Sequence, residues 1–383
     1  MAEIMDRSDV KIIPFYLPQY HAIPENDRWW GEGFTEWTNV KKAQPLFPGH
    51  DQPKKPLGGN YYNLLDDSVK MQQAQLAREY GIFGFCYYHY WFKGGKRLLE
   101  QPAEQMLANP AVDLPFCFCW ANENWSKNWD GGNREVIMEQ DYGGPTEWEQ
   151  HFQYLLPFFK DPRYMTVQGE PLFVIYKPEQ MIDLRQMVHF FRKRAKEEGF
   201  PGMCFAFQFP SYYADMYYDD EVFDYRIGFE PVYSRNAANL KHPGTAEKVR
   251  FLRKTLGERA VVAYRKSQKG KPRGSWAKPQ SLAMYFYDET WQQILQNDWD
   301  EKFLPGAFVD WDNTPRNKHG VMYADFSIEK FSVYMKALVQ RARRENKPVI
   351  FINAWNEWGE GAFLEPDEHY GFQKLEAVRN ALE

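Results

Sequence analysis

Eight short apolar runs, separated by longer stretches of helical periodicity, predict an α/β protein and, within that class, a (β/α)8 TIM barrel with elaborated βα loops. Two further observations point the same way. Polar and aromatic residues gather where the runs end, the face on which barrel enzymes build their sites. The chain's 383 residues suit one large barrel with insertions, so a single domain over residues 1–383 is expected.

The first run, Lys11–Leu17, opens into a loop dense in rings. Asp66–Tyr80 then places Val69, Gln73, Leu76 and Tyr80 at helical spacing, with Asp66 or Asp67 positioned to cap it and Gly81 to end it. Phe83–Tyr88 and Pro115–Trp120 are the second and third strands, and Thr146–Phe159 is helical. Leu172–Tyr176, helical Leu184–Glu198, Met203–Phe207 and Tyr225–Phe229 follow. Ala307–Asp310, helical Ser327–Asn346 and Val349–Asn353 complete the pattern. The least regular stretch, residues 242–278, contains the basic run Arg265–Arg273. It reads as a long loop or small insertion, either simply solvated or a clamp for an anionic substrate group.

Charge is nearly balanced, 47 Lys and Arg against 52 Asp and Glu for a net −5, which argues against a strongly basic nucleic-acid binder. No apolar run approaches the roughly 18–20 residues of a membrane span. The N-terminus lacks a secretory apolar core, so a cytoplasmic setting is expected, or a periplasmic one if a leader has been removed. Cys86, Cys117, Cys119 and Cys204 lie in apolar runs without further ligands at metal spacing and read as buried, reduced thiols; neither a metal nor a cofactor is expected. The dinucleotide, phosphate-loop, nucleophile-elbow and zinc-helix motifs are all missing.

Aromatic residues make up 17% of the chain. The phenylalanines, mostly inside strands and helices, read as core. Trp29, Trp30, Trp37, Trp91, Trp120, Trp125, Trp311, Trp355 and Trp358 fall at strand ends beside amides and carboxylates, where flat rings stack on sugars.

The sharpest chemical candidate is Asn356-Glu357-Trp358-Gly359-Glu360-Gly361, directly after the eighth strand. Glycoside cleavage needs one protonated and one ionised carboxyl group. Two glutamates three residues apart can face the same side of a turn, and their proximity is expected to raise one pKa while holding the other down. The bland alternative is an exposed pair capping a helix. Trp120-Ala-Asn122-Glu123-Asn-Trp125 is a second carboxylate centre, an acid, a hydroxyl binder or only a polar turn. Asp310-Trp311-Asp312 fits the weak Asp-X-Asp pattern of metal-dependent glycosyltransferases. Candidate substrate-binding residues also come from Tyr16, Gln19, Tyr20, His21, Trp29, Trp30, Glu36 and Trp37, and from Tyr88, His89, Tyr90 and Trp91, half of which must be core because strand residues alternate faces.

At these residues the chain resembles the WbsX-like family, which is related to glycoside hydrolase family 99 and often labelled as glycosyltransferases of lipopolysaccharide or O-antigen synthesis. The resemblance rests on Phe15-Tyr-Leu-Pro-Gln-Tyr-His21, Trp29-Trp-Gly-Glu-Gly-Phe-Thr-Glu-Trp37, Tyr80-Gly-Ile-Phe-Gly-Phe-Cys-Tyr-Tyr-His-Tyr-Trp-Phe92, Phe116-Cys-Phe-Cys-Trp-Ala-Asn-Glu-Asn-Trp125 and Asn353-Ala-Trp-Asn-Glu-Trp-Gly-Glu-Gly361. It implies a barrel enzyme that cuts internal α-mannosidic linkages with retention and without a metal. Glu357 would be the base for the substrate's own 2-hydroxyl, and Glu360 the acid, then the base for water. Gly359 stands where the relatives carry His. A retaining endo-type hydrolase of α-linked oligo- or polysaccharide is therefore the first expectation. A glycosyltransferase of bacterial surface polysaccharide using Asp310 and Asp312 is the second, and a non-catalytic glycan binder the third.

Overall fold

The computed structural model describes residues 2–6, 9–126, 136–209, 222–239 and 282–383; the irregular basic stretch at 242–278 lies outside the described residues. Eight parallel strands form the barrel. They are β1 (Lys11–Tyr16), β2 (Phe85–Trp91), β3 (Phe116–Trp120), β4 (Glu170–Ile175), β5 (Cys204–Phe209), β6 (Tyr225–Gly228), β7 (Phe303–Leu304 and Gly306–Phe308) and β8 (Val349–Asn353). Every one of the eight expected runs overlaps a barrel strand.

The ring closes through β7. Its first half pairs with β6 and its second half with β8, which in turn pairs with β1. Pro305 divides the halves because it has no N–H for the ladder, while its carbonyl still accepts from Phe351 N at 3.0 Å. At this junction β6 and β7 approach so closely that a Cβ on Gly306 would lie 1.7 Å from Gly228 O. Gly306→Ala is therefore expected to cost about 1–3 kcal/mol, as overpacking does. An unchanged urea midpoint would show that the closure tolerates a side chain.

The helices are α1 (Pro24–Trp30), α2 (Glu36–Lys42), α3 (Asp67–Glu79), α4 (Gln101–Ala108), α5 (Pro145–Phe159), α6 (Leu184–Glu197), α7 (Val232–Asn239), α8 (Tyr287–Gln296), α9 (Ile328–Arg344) and α10 (Gln373–Leu382). The expected caps are in place. The Asp66 carboxylate accepts from Ser68 N at 2.8 Å, and Gly81 follows α3 with φ of 76°. None of the helices among the described residues is long and apolar enough to cross a membrane.

Strand alternation sorts the aromatic residues. Phe15 of β1 meets Phe229, which follows β6 on the opposite wall, at a centroid distance of 5.7 Å, and stacks on Tyr88 at 5.7 Å. These rings fill the barrel axis. Cys86, Cys117 and Cys119 share that inner face in register with Phe15 and Tyr88, and all four cysteines are free and buried. Tyr16, Tyr87, His89, Trp91, Phe118 and Trp120 occupy the outer face, beneath the helices.

Candidate active site

The C-terminal ends of the strands surround a cleft of about 630 Å³. The segment after β1 supplies Leu17 and Gln19, and α1 supplies Asn26 and Trp30. Tyr88 and Tyr90 rise from β2, and Glu123, Asn124 and Trp125 follow β3. Tyr176 and Phe229 floor the cleft beyond β4 and β6. Trp311, Asn313 and Arg316 come from the loop after β7, and Glu357 and Glu360 from the loop after β8. Among the described residues seven of the eight strands thus contribute, which is how this architecture builds a site.

Glu357 and Glu360 reach the cleft together because Asn356–Glu357 turns directly into the helical turn Trp358–Glu360. Asn356 anchors that turn. Its Oδ1 accepts from Leu17 N at 2.7 Å and its Nδ2 donates to Leu17 O at 3.0 Å, bracketing the ends of β1 and β8. Tyr20 adds a hydrogen bond from its hydroxyl to Asn356 O. Asn356 and Tyr20, both expected to touch substrate, are instead the struts of the carboxylate loop.

Both carboxylates share one guanidinium. Arg316 donates from Nη2 to Glu357 Oε2 at 2.8 Å and from Nη1 to Glu360 Oε1 at 2.5 Å. Glu357 is the deeper of the two, its side chain 8% exposed against 21% for Glu360. Burial pushes Glu357 up to about 8 while Arg316 pulls it down and the neighbouring carboxylates add to the rise. Burial also raises Glu360, again against Arg316. Proximity alone suggested one raised and one lowered group; desolvation raises both, because both are largely buried.

The other expected residues divide cleanly. Gln19, Trp30, Tyr88, Tyr90, Glu123 and Trp125 line the cleft; Glu123 is ion-paired with Lys177. Trp29 stands behind Trp125, edge-on at 6.2 Å. Tyr16 points outward to Gln73 of α3, donating to its Oε1 at 2.7 Å. His89 and Trp91 point outward to His151 of α5, the two histidines 2.8 Å apart and neutral because burial drives both pKa values down. Trp120 is also outward and donates to Trp91 O at 3.0 Å. Asn122 is spent on the Lys177 backbone. Trp37 donates to Tyr62 O at 2.8 Å, and with His21 borders a separate hollow of about 570 Å³ that no acidic residue lines among the described residues. Trp358 stacks on Phe363 at 3.7 Å and donates to Glu365. Glu36 is wholly buried beneath Arg316.

Asp310 and Asp312 do not line the cleft. Asp310 accepts from Trp311 N and lies 3.9 Å from the Lys54 ammonium. Asp312 Oδ2 is shared by Gln52 Nε2 at 2.6 Å and His50 Nε2 at 2.9 Å, and its Oδ1 accepts from Thr314 N. Burial would raise Asp312, but these bonds outweigh it and its pKa falls. The Asp-X-Asp segment is thus a brace for the loop, its oxygens already engaged. No group of metal-ligating side chains assembles among the described residues.

Two functional groups, Arg316 and Asn26, escaped the sequence reading. Arg316 sits in Asn313-Thr-Pro-Arg-Asn without any pattern around it. Asn26 lines the cleft with both amide atoms buried and unpaired among the described residues, and Trp311 has its indole N–H in the same condition. Buried donors and acceptors without partners are costly.

The family model described as Glycosyltransferase WbsX matches residues 12–378. The uncharacterized protein WxcX of Xanthomonas campestris pv. campestris (strain B100) is 34% identical over 382 residues, covering 97% of this chain and 49% of WxcX. The chain therefore spans about half the length of the curated relatives it matches. Among solved structures, the GH99 endo-alpha-mannosidase from Bacteroides thetaiotaomicron in complex with Bis-Tris propane superposes with a TM-score of 0.51 at 14% identity, over 97% of this chain and 94% of that one. A chain described as a glycoside hydrolase-like protein gives 0.54 at 13% identity, over 98% and 94%. At these identities the likeness is one of fold.

Proposed function

The chain belongs to the glycosyltransferase WbsX family and has a glycoside-hydrolase-like barrel fold, and from that premise we propose that it is a carbohydrate-active enzyme, a retaining, endo-acting hydrolase of α-linked bacterial polysaccharide. The observation that carries the reading is the pair Glu357 and Glu360, side by side on one guanidinium within a tryptophan-walled cleft.

In this reading Glu357 takes the proton of the substrate's 2-hydroxyl as O2 attacks the anomeric carbon, and Glu360 protonates the departing glycosidic oxygen. A 1,2-anhydro sugar results. Glu360 then takes a proton from water, the water oxygen opens the anhydro sugar at the anomeric carbon, and Glu357 returns its proton to O2. Two inversions give net retention.

The productive pair carries one proton. Above about 8 both carboxyls are ionised and no acid remains, and at low pH both are protonated and no base remains. Because burial carries Glu357 up to about 8 in the free protein, its role as base requires the shared proton to pass to Glu360 when substrate binds. A bell-shaped kcat/KM is therefore expected, falling as pH rises through about 8. A rate that keeps climbing past that point would remove the acid role from this pair.

A sugar hydroxyl in place of water would make the same chemistry a glycosyl transfer, the reading that the family's description favours. Incubation with a panel of α-linked polysaccharides in ¹⁸O-water separates the two. Label at a new α-configured reducing end means hydrolysis, and elongated unlabelled chains mean transfer. A panel left intact would sink the proposal.

A further inference from the structure

We propose that Arg316 and Glu36 are positioning residues that set how many protons the Glu357–Glu360 pair holds, and that position 359 is glycine because those two side chains fill the space a larger residue would need. The inference rests on the roles proposed above for Glu357 and Glu360.

Three distant segments converge on one guanidinium. Glu36 opens α2, Arg316 lies in the loop after β7, and the two glutamates follow β8. Arg316 donates from Nε to Glu36 Oε1 at 2.8 Å, so that its two remaining nitrogens are turned upward to Glu357 and Glu360. Glu36 is completely buried and its Oε2 has no partner among the described residues. A side chain so placed binds nothing in the cleft; what it does is hold the guanidinium by its base. A Cβ on Gly359 would lie 1.8 Å from Glu36 Oε1 and 2.9 Å from Arg316 Nε. Any side chain there would expel one of them.

Charge arithmetic gives the clamp its consequence. Three carboxylates surround one cation, so the cluster in its fully ionised form is left with net negative charge in a desolvated place, and it retains a proton instead. For Glu357 and Glu360 alike, Arg316 opposes the rise and Glu36 adds to it. The other groups facing the pair are the phenols of Tyr20, Tyr88, Tyr90 and Tyr176, which burial keeps neutral, and Glu123, held by Lys177. None of these takes Arg316's place.

The test reads the free protein, without substrate. In protein carrying ¹³C at the glutamate carboxyl carbons, Glu357→Gln and Glu360→Gln assign the two titrations. Glu36→Gln removes a like charge and should move both to lower pH by about one unit or more, whereas Arg316→Met removes an opposite charge and should move both up. Arg316→Lys keeps the charge but lacks the three-way fork, and should move them less than Arg316→Met. A purely structural role gives no reason for shifts of opposite sign; titrations that stay still, or move the same way in Glu36→Gln and Arg316→Met, overturn the clamp. The slot has its own arm. Gly359→Ala should lower the melting temperature less in a Glu36→Ala background than in the unaltered chain, and equal losses would refute it. Opposite shifts in a protein that cleaves no glycan would keep the clamp and discard the hydrolase; glycan cleavage with unmoved titrations would do the reverse.

Discussion

Glu360→Gln and Glu357→Gln are each expected to lower kcat by about 10²–10⁴-fold while glycan binding persists. Glutamine is isosteric and keeps an amide oxygen for the Arg316 nitrogens, so the loop and the cleft should survive the change. The loss is then one of proton transfer alone. The pair acts as a unit, and the double variant should be little slower than either single one. An α-glycosyl fluoride separates the roles, because fluoride departs without a proton. First-turnover cleavage of the fluoride should recover in Glu360→Gln and stay slow in Glu357→Gln. Near-normal activity of either variant on polysaccharide would sink the assignment.

The largest expected loss of stability lies one turn further along the chain. Glu365→Ala should cost about 3–5 kcal/mol, comparable to stripping one partner from a buried charged network. The Glu365 carboxylate is 5% exposed and serves four donors, namely Gln73 Nε2 at 2.6 Å, Trp358 Nε1 at 2.7 Å, Tyr62 OH at 2.8 Å and Trp355 Nε1 at 3.0 Å. Alanine would strand all four in a dry interior. Glu365→Gln should also destabilise, since its NH₂ would face N–H groups. Urea unfolding measures both. A loss below about 1 kcal/mol for Glu365→Ala would mean that water or repacking satisfies the donors.

The barrel was legible because its signal is local and repeated: an apolar run, a polar aromatic end and a helical stretch, with strands matching all eight expected runs. Glu357 and Glu360 were legible because chemistry restricts which residues can sit there. The direction of side chains at strand ends was only partly readable. Alternation separates Tyr88 and Tyr90, which face the cleft, from His89 and Trp91, which face α5. Beyond the last ladder bond that rule lapses, and several rings turn toward whatever accepts their N–H. Trp37 found Tyr62 O, and Trp355 and Trp358 found Glu365. Of nine tryptophans placed at strand ends, three line the cleft, namely Trp30, Trp125 and Trp311. Arg316 had no legible signal, because its partners lie 280, 44 and 41 residues away.

The bracket between Leu17 and Asn356 joins residues 339 apart in the chain. Contacts of such separation must overcome the greatest loop-closure entropy and tend to form late. The turn bearing both carboxylates is thus tied to the union of the first and last barrel strands, and the frame that aims Glu357 and Glu360 is complete once those two strands have paired. Competence arrives with closure.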